Sequence, residues 1–216
     1  MIKVKICGIT NIADAELAVR LGADYLGFVF APSPRQVSPQ EAAAILDELA
    51  YLRLRDAVKV VGVFVNEGED VLKEIIWQTG IDQVQLHGDE DPQTVNSYTF
   101  SWYKALRVAS PGDVTSRSWQ CPRLLIDTRI EGLYGGTGQT VPLDLARRAR
   151  DRIKESGQEF FLAGGITPDN VSRLITAVQP DGIDVSSGIE ETKGKKSAGK
   201  MKRLFSEIGR IPKEKK

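Results

Sequence analysis

Short apolar, β-branched runs alternate with segments of helical periodicity along the whole chain of 216 residues. Neighbouring runs begin about 20 to 36 residues apart, which is the size of a strand-plus-helix unit. Eight runs are predicted strands: residues 4–7, 25–30, 58–65, 83–87, 102–108, 124–127, 160–163 and 182–186. Strands that alternate with helices in this way favour a parallel sheet covered by helices.

Two architectures satisfy this alternation, a doubly wound open sheet and a closed (β/α)8 barrel. Eight units favour closure, and 216 residues is near the short end of the roughly 200–400 residues that such barrels span. No Pro-, Gly- or Ser-rich linker divides the chain. We therefore predict an α/β protein with one domain, a (β/α)8 TIM barrel over residues 1–209, followed by a lysine-rich tail over residues 210–216.

Capping residues mark where the predicted helices begin and end. Residues 38–41 read Ser-Pro-Gln-Glu, a capping serine with proline at the first helical position and a glutamate that can close a capping box. Asp91-Pro92 and Thr167-Pro168 repeat the order of cap and proline. Three glycines, Gly22, Gly80 and Gly157, occur where helices should end, each just before a strand.

Composition narrows the functional classes. The 29 Lys and Arg residues balance 29 Asp and Glu residues, which argues against a nucleic-acid binder with a broad basic surface. No run of about 18 apolar residues is present, so we expect no membrane-spanning helix. The amino terminus lacks the apolar run of a secretory signal, and we expect a cytoplasmic protein. Two cysteines and one histidine cannot form a zinc cluster or a disulfide scaffold, so we expect no metal ion.

Reactive side chains end several predicted strands, where the loops of a (β/α)8 barrel face a ligand. Cys7 ends the first strand and is either a base whose thiolate is stabilised by nearby positive charge or a small buried apolar residue. Asp127 ends the sixth strand. Partial desolvation would raise its pKa and suit it to donate a proton, unless it only caps a turn. Cys121 precedes a strand, and we interpret it as structural.

Further residues are candidate ligand contacts. Arg35 lies in a loop bounded by prolines and is either a clamp for a substrate carboxylate or a solvated side chain. His87 ends the fourth strand and is either a ligand contact or a buried, hydrogen-bonded imidazole. Lys5 shares one face of its strand with Cys7, and if it is buried it needs a carboxylate partner, for which we predict Asp184.

Two loops after the seventh and eighth strands have the composition of a phosphate site. Gly164 and Gly165 follow the seventh strand, and Ser186, Ser187 and Gly188 follow the eighth. Backbone N–H groups and hydroxyls can bind an anion there without a lysine, at the position where such barrels often hold phosphate. The alternative is that the glycines only allow tight turns.

Two other segments are defined by composition. Residues 133–140 are glycine-rich but match neither the P-loop nor the dinucleotide fingerprint, and we interpret them as a lid over the site. The lysine-rich residues 193–202 and 213–216 are predicted to form a solvated last helix and tail.

Together these residues resemble the phosphoribosylanthranilate isomerase family. The matching motifs occur in order over nearly the whole chain: KICGIT at 5–10, ADYLGFVF at 23–30, SPR at 33–35, GVFVN at 62–66, QLHGDE at 85–90, GGTG at 135–138, AGGI at 163–166 and IDVSSGIE at 183–190. One departure is the VPLD at 141–144, where the family usually has Phe-Asp-Trp. It bears on how the sixth loop packs on its helix.

The resemblance implies an Amadori rearrangement of a phosphosugar in tryptophan biosynthesis, with Cys7 as general base and Asp127 as general acid. Arg35 and Asp184 would position the substrate beside His87, and the two loops would hold its phosphate. The imine nitrogen accepts the electrons, so no cofactor is implied, and the chain would act as a monomer or homodimer. The alternatives are another phosphosugar isomerase or epimerase on the same barrel, and a phosphate-binding regulatory relative. The pairing of Cys7 with Asp127 favours the phosphoribosylanthranilate isomerase over both alternatives.

Overall fold

The structure is a computed structural model that describes residues 2–108, 110–114, 118–127 and 142–212. Eight parallel strands close into a barrel in chain order, with the last strand paired to the first. The strands are β1 (Lys3–Cys7), β2 (Tyr25–Val29), β3 (Lys59–Phe64), β4 (Gln83–Leu86), β5 (Trp102–Arg107), β6 (Arg123–Asp127), β7 (Glu159–Ala163) and β8 (Gly182–Val185). All eight predicted strands are confirmed to within one residue at each end, and closure rules out the open sheet.

Helices surround the barrel, and a short hairpin follows the last barrel strand. The helices are α1 (Ile12–Arg20), α2 (Pro39–Tyr51), α3 (Glu69–Thr79), α4 (Pro92–Val95), α5 (Leu143–Glu155), α6 (Val171–Val178) and α7 (Ala198–Gly209). The antiparallel hairpin consists of β9 (Glu190–Thr192) and β10 (Lys195–Lys196). Among the described helices, none is long and apolar enough to cross a membrane.

Two of the three predicted amino-terminal caps begin helices. Ser38 and Glu41 form the reciprocal capping box at the start of α2, and Asp91 caps α4. Thr167-Pro168 does not begin a helix, so that prediction is wrong. The side chain of Asn170 accepts a hydrogen bond from the Thr167 backbone N–H at 2.8 Å and closes a turn first, and α6 begins at Val171.

One hydrogen bond recurs at the amino ends of the strands. An aspartate just before or at the start of one strand accepts a hydrogen bond from a backbone N–H of the preceding strand. The three bonds are Val4 N–H to Asp24, Val60 N–H to Asp82 and Phe160 N–H to Asp181, each 2.7 Å long. These bonds tie neighbouring strands together at the amino end of the barrel.

A buried arginine fills the amino end of the barrel interior. Arg123 donates two hydrogen bonds to Glu159, of 3.0 and 2.8 Å, and one of 2.7 Å to the Tyr25 hydroxyl. Its guanidinium carbon lies 4.0 Å from the centre of the Phe161 ring. Lys3 also pairs with Glu159. Among the described residues, these side chains occupy the amino end of the barrel interior.

Some sequence predictions fall outside the described residues. They are the glycine-rich segment at 133–140, Val141 in the departure from the family pattern, and the lysines of residues 213–216.

Candidate active site

Closure of the barrel brings the predicted site residues to one mouth. Cys7 is the last residue of β1 and Asp127 the last residue of β6, and the strand order places them three strands apart around the ring. His87 directly follows β4, and Asp184 lies near the end of β8. Parallel strands in a closed barrel end on the same face, so these side chains surround one opening.

Below Cys7, the predicted ion pair between Lys5 and Asp184 is confirmed. The Lys5 ammonium is fully buried and donates to Asp184 Oδ2 at 2.8 Å and to Gln85 Oε1 at 2.9 Å. Burial alone would lower the pKa of Lys5, but Asp184, Cys7 and Tyr103 together outweigh it and the pKa is raised. Lys5 is therefore a permanent cation inside the barrel. Asp184 Oδ1 is buried and has no hydrogen-bond partner among the described residues.

Cys7 is buried beside charged groups of both signs. Burial raises the pKa of the Cys7 thiol, and the Asp184 carboxylate adds to that effect. Lys5 and Lys196 oppose both but do not outweigh them. The positive charge that a thiolate would need is present, but it does not lower the pKa of the thiol, because the same fold that brings the lysines also desolvates the sulfur and places a carboxylate beside it.

His87 lies between a glutamine and the proposed acid. Its Nδ1 is 3.2 Å from Gln85 Nε2, and its Nε2 is 3.7 Å from Asp127 Oδ2. Burial, and then the positive charge of Lys5 and Arg107, lower the pKa of His87 to about 4. The imidazole is therefore uncharged at neutral pH.

Arg35 is not a solvated loop residue. Its guanidinium forms a two-pronged ion pair with Glu190, Nε to Oε1 at 2.6 Å and Nη2 to Oε2 at 2.7 Å. Gly8 allows this placement, because a Cβ on Gly8 would overlap the Arg35 side chain. The unused edge of the guanidinium can receive a carboxylate.

The hairpin after β8 supplies two residues that the sequence prediction missed. Lys196 was predicted to be solvated, and that is wrong: it is 2% exposed. Its ammonium donates to the Cys7 carbonyl at 2.6 Å, to Glu190 Oε1 at 3.0 Å and to the Ser186 carbonyl at 3.3 Å. Only the ending of the IDVSSGIE motif on a glutamate, Glu190, hinted at this cluster. No local pattern distinguishes Lys196 from the exposed lysines beside it.

The two loops predicted to hold phosphate lie against each other. Gly164 and Gly165 both adopt left-handed backbone conformations, with φ of 93° and 62°. A Cβ on Gly188 would overlap the carbonyl oxygen of Ile166. Successive backbone N–H groups in a turn of this kind can form a concave site for an anion. The contact brings the Ser186–Gly188 turn next to them.

A closed (β/α)8 barrel with a thiol, carboxylates and an imidazole gathered at its carboxyl end defines a barrel enzyme suited to proton transfer. A family model described as N-(5'phosphoribosyl)anthranilate (PRA) isomerase matches residues 4–207. The N-(5'-phosphoribosyl)anthranilate isomerase of Pelobacter propionicus is 42% identical over 216 residues, covering 99% of this chain and 97% of the relative. The chain belongs to the N-(5'-phosphoribosyl)anthranilate isomerase family.

Solved structures agree with this membership. The phosphoribosyl anthranilate isomerase of Thermotoga maritima superposes with a TM-score of 0.84 at 36% identity, covering 97% of this chain and 99% of the other. A phosphoribosyl anthranilate isomerase in complex with reduced 1-(o-carboxyphenylamino)-1-deoxyribulose 5-phosphate superposes with a TM-score of 0.81 at 33% identity, with the same coverage of both chains.

Proposed function

We propose that this chain converts N-(5-phosphoribosyl)anthranilate into 1-(2-carboxyphenylamino)-1-deoxyribulose 5-phosphate, a step of tryptophan biosynthesis, with Cys7 as the base and Asp127 as the acid. The observation that carries the proposal is the placement of a thiol and a carboxylate at the ends of β1 and β6, on opposite parts of one mouth. The reduced compound bound by the related isomerase has the carbon skeleton of this product.

The rearrangement needs one proton delivered and one removed. Asp127 protonates the ring oxygen of the furanose, the C1–O bond breaks, and the anilino nitrogen supplies its electron pair to form a protonated imine. Cys7 as thiolate then removes the proton from C2, and the C–H electrons move toward the imine nitrogen to give an enolamine. Tautomerisation of the enolamine yields the ketone. The iminium nitrogen accepts the electrons released at C2 in the second step, and we expect no cofactor.

The buried charges decide when the thiol can act. In the free site the raised pKa of Cys7 keeps the sulfur protonated at neutral pH. The protonated imine brings a positive charge to the mouth and so favours the thiolate, together with the Lys5 ammonium below it. The base would therefore form mainly when substrate is present, which protects a reactive sulfur in the empty site.

The remaining predicted residues would bind and orient the substrate. Arg35, held by Glu190, offers its free edge to the anthranilate carboxylate. Asp184 Oδ1 is available to accept a hydrogen bond from a sugar hydroxyl, and His87 lines the same opening.

The phosphate is proposed to bind the two adjoining loops, through Gly164, Gly165, Ser186, Ser187 and Gly188. The chain would work in the cytoplasm as a monomer or a homodimer.

Turnover of phosphoribosylanthranilate by purified protein tests the proposal. We expect Cys7→Ser and Asp127→Asn each to lower kcat by at least about 100-fold, the size of a lost acid or base. Two matched controls should retain activity. Cys121→Ser changes a buried cysteine whose thiol donates a hydrogen bond to the Arg123 carbonyl. Asp47→Asn changes an exposed residue of α2. Unchanged activity in both test variants would overturn the roles. Binding without turnover by the wild type would favour a regulatory protein.

A further inference from the structure

A buried glutamine, Gln85, contacts both Lys5, which lies below the proposed base, and His87, which faces the proposed acid. Gln85 lies on β4 and is 1% exposed. Its Oε1 accepts hydrogen bonds from Lys5 Nζ at 2.9 Å and from the Tyr103 hydroxyl at 2.8 Å. An ammonium group can only donate, so the side-chain atom that faces Lys5 has to be the oxygen. The two donors therefore determine which way the carboxamide points.

The orientation of Gln85 determines which ring nitrogen of His87 carries the proton. With Oε1 turned to Lys5, the Gln85 amide nitrogen faces His87 Nδ1 at 3.2 Å. An amide N–H can only donate, so Nδ1 has to present its lone pair. The proton of the neutral ring is then on Nε2, which faces Asp127 Oδ2 at 3.7 Å.

Charged groups from several elements keep the His87 ring neutral. Lys5 on β1 and Lys104 and Arg107 on β5 are cations that disfavour a second proton on the imidazole. Glu90, in the loop after β4, opposes them, and Asp127 on β6 faces Nε2. With burial added, the pKa of His87 is about 4.

We propose that Gln85 is a positioning residue for the reaction, which holds neutral His87 as its Nε2–H tautomer and so presents a hydrogen-bond donor beside the proposed acid. The distance of 3.7 Å is just beyond hydrogen-bond length. A substrate atom that lies beside both His87 Nε2 and Asp127 Oδ2 can therefore accept this N–H while the acid acts on it. The inference rests on the proposed roles of Asp127 and His87.

Nuclear magnetic resonance of protein labelled with 15N-histidine tests the inference directly, because His87 is the single histidine of the chain. In the wild type at pH 7 we expect the shift of an unprotonated nitrogen at Nδ1 and of a protonated one at Nε2. In Gln85→Glu a carboxylate replaces the amide donor, so Nδ1 should become protonated and the pKa of His87 should rise by at least about one unit. The same variant should lose kcat by roughly tenfold or more, by analogy with other residues that orient a reacting group.

Gln83→Glu is the matched control. Gln83 lies two residues earlier on the same face of β4, where it contacts Arg123 and Ser101 instead of the site. This variant should leave the tautomer and the pKa of His87 unchanged. A protonated Nδ1 in the wild type would overturn the proposal, and that measurement needs no variant to fold. Equal His87 spectra for Gln85→Glu and the control would overturn it as well. Absence of turnover by a wild type that shows the expected tautomer would instead count against the proposed function.

Discussion

Arg35 and Glu190, 155 positions apart in the chain, form a two-pronged ion pair at the rim of the barrel. The buried Lys196 ammonium binds the same carboxylate at 3.0 Å and the Cys7 carbonyl at 2.6 Å. Burial lowers the pKa of Lys196, and the Glu190 carboxylate opposes that shift. With Lys196 protonated, the cluster of Arg35, Glu190 and Lys196 carries one net positive charge. The ion pair therefore orients Arg35 without cancelling the attraction for a substrate carboxylate.

Removal of the Lys196 charge should weaken substrate binding. We expect Lys196→Met to raise KM by about tenfold, the effect of losing one charged hydrogen-bonding partner, because Arg35 and Glu190 then neutralise each other. A smaller fall in kcat should follow, since the Cys7 carbonyl loses its donor. Lys195→Met is the matched control: Lys195 is the preceding residue, its side chain is 66% exposed, and it pairs with Glu191. Equal KM values for the two variants would contradict the role of Lys196.

The space around the Cys7 sulfur depends on Gly27. A Cβ at this position would lie 2.8 Å from Cys7 Sγ and 3.0 Å from Lys5 Nζ. We expect Gly27→Ala to displace one of the two groups and to lower kcat more than it raises KM. Gly68→Ala, where the added carbon meets nothing within 4 Å, should leave the steady-state kinetics as in the wild type. Full activity in Gly27→Ala would mean that the sulfur need not be held so closely.

The Cys7 thiol should titrate at high pH in the free protein. Burial and the Asp184 carboxylate raise its pKa, so we expect the midpoint to lie above the roughly 8.5 of an ordinary thiol. The ultraviolet absorbance of the thiolate, measured as wild type minus Cys7→Ser over a pH series, isolates this residue from Cys121. A midpoint below neutral pH would show that Lys5 and Lys196 dominate instead.

His87 should make folding sensitive to acid. Its pKa is about 4 in the folded protein and about 6.5 in an unfolded chain, so between these values only the unfolded state takes up the proton. The free energy of unfolding should be unaffected by this ring above pH 6.5 and should fall by up to about 3 kcal/mol as the pH drops to 4. Urea titrations of wild type and His87→Asn across this range give the difference. Parallel curves would contradict the lowered pKa.

A stabilising substitution is available at Gln179. Gln179 is exposed and caps the carboxyl end of α6 in the left-handed conformation, with φ of 52°. The equivalent position at the end of α3 is Gly80, with φ of 66°. We expect Gln179→Gly to raise the free energy of unfolding by about 0.5–1 kcal/mol, because glycine adopts this conformation without a Cβ clash. Gly80→Ala should lower it, although nothing lies within 4 Å of the added carbon. Thermal melts of both variants test the pair, and a lower melting temperature for Gln179→Gly would refute it.

Local patterns were sufficient for the architecture. A strand or a helix is encoded by the spacing of apolar residues within about ten positions, so the boundaries of all eight strands could be read to within one residue. The Ser38–Glu41 capping box is equally local. The pairing of Lys5 with Asp184 was also predictable, since a cation on an inward face has to find a carboxylate and few were available near the strand ends.

The sequence by itself therefore determined eight strand–helix units, favoured their closure into a barrel, and indicated the strand ends at which the reactive side chains meet. Tertiary structure alone decided the contacts around them: Lys196 becomes buried only because the β9–β10 hairpin folds over Cys7, and the tautomer of His87 follows from donors on β1 and β5. The direction of the Cys7 pKa shift likewise depends on the sum of burial and charges brought from distant parts of the chain. Such sums depend on three-dimensional distance and solvent exclusion, which no local pattern of residues records.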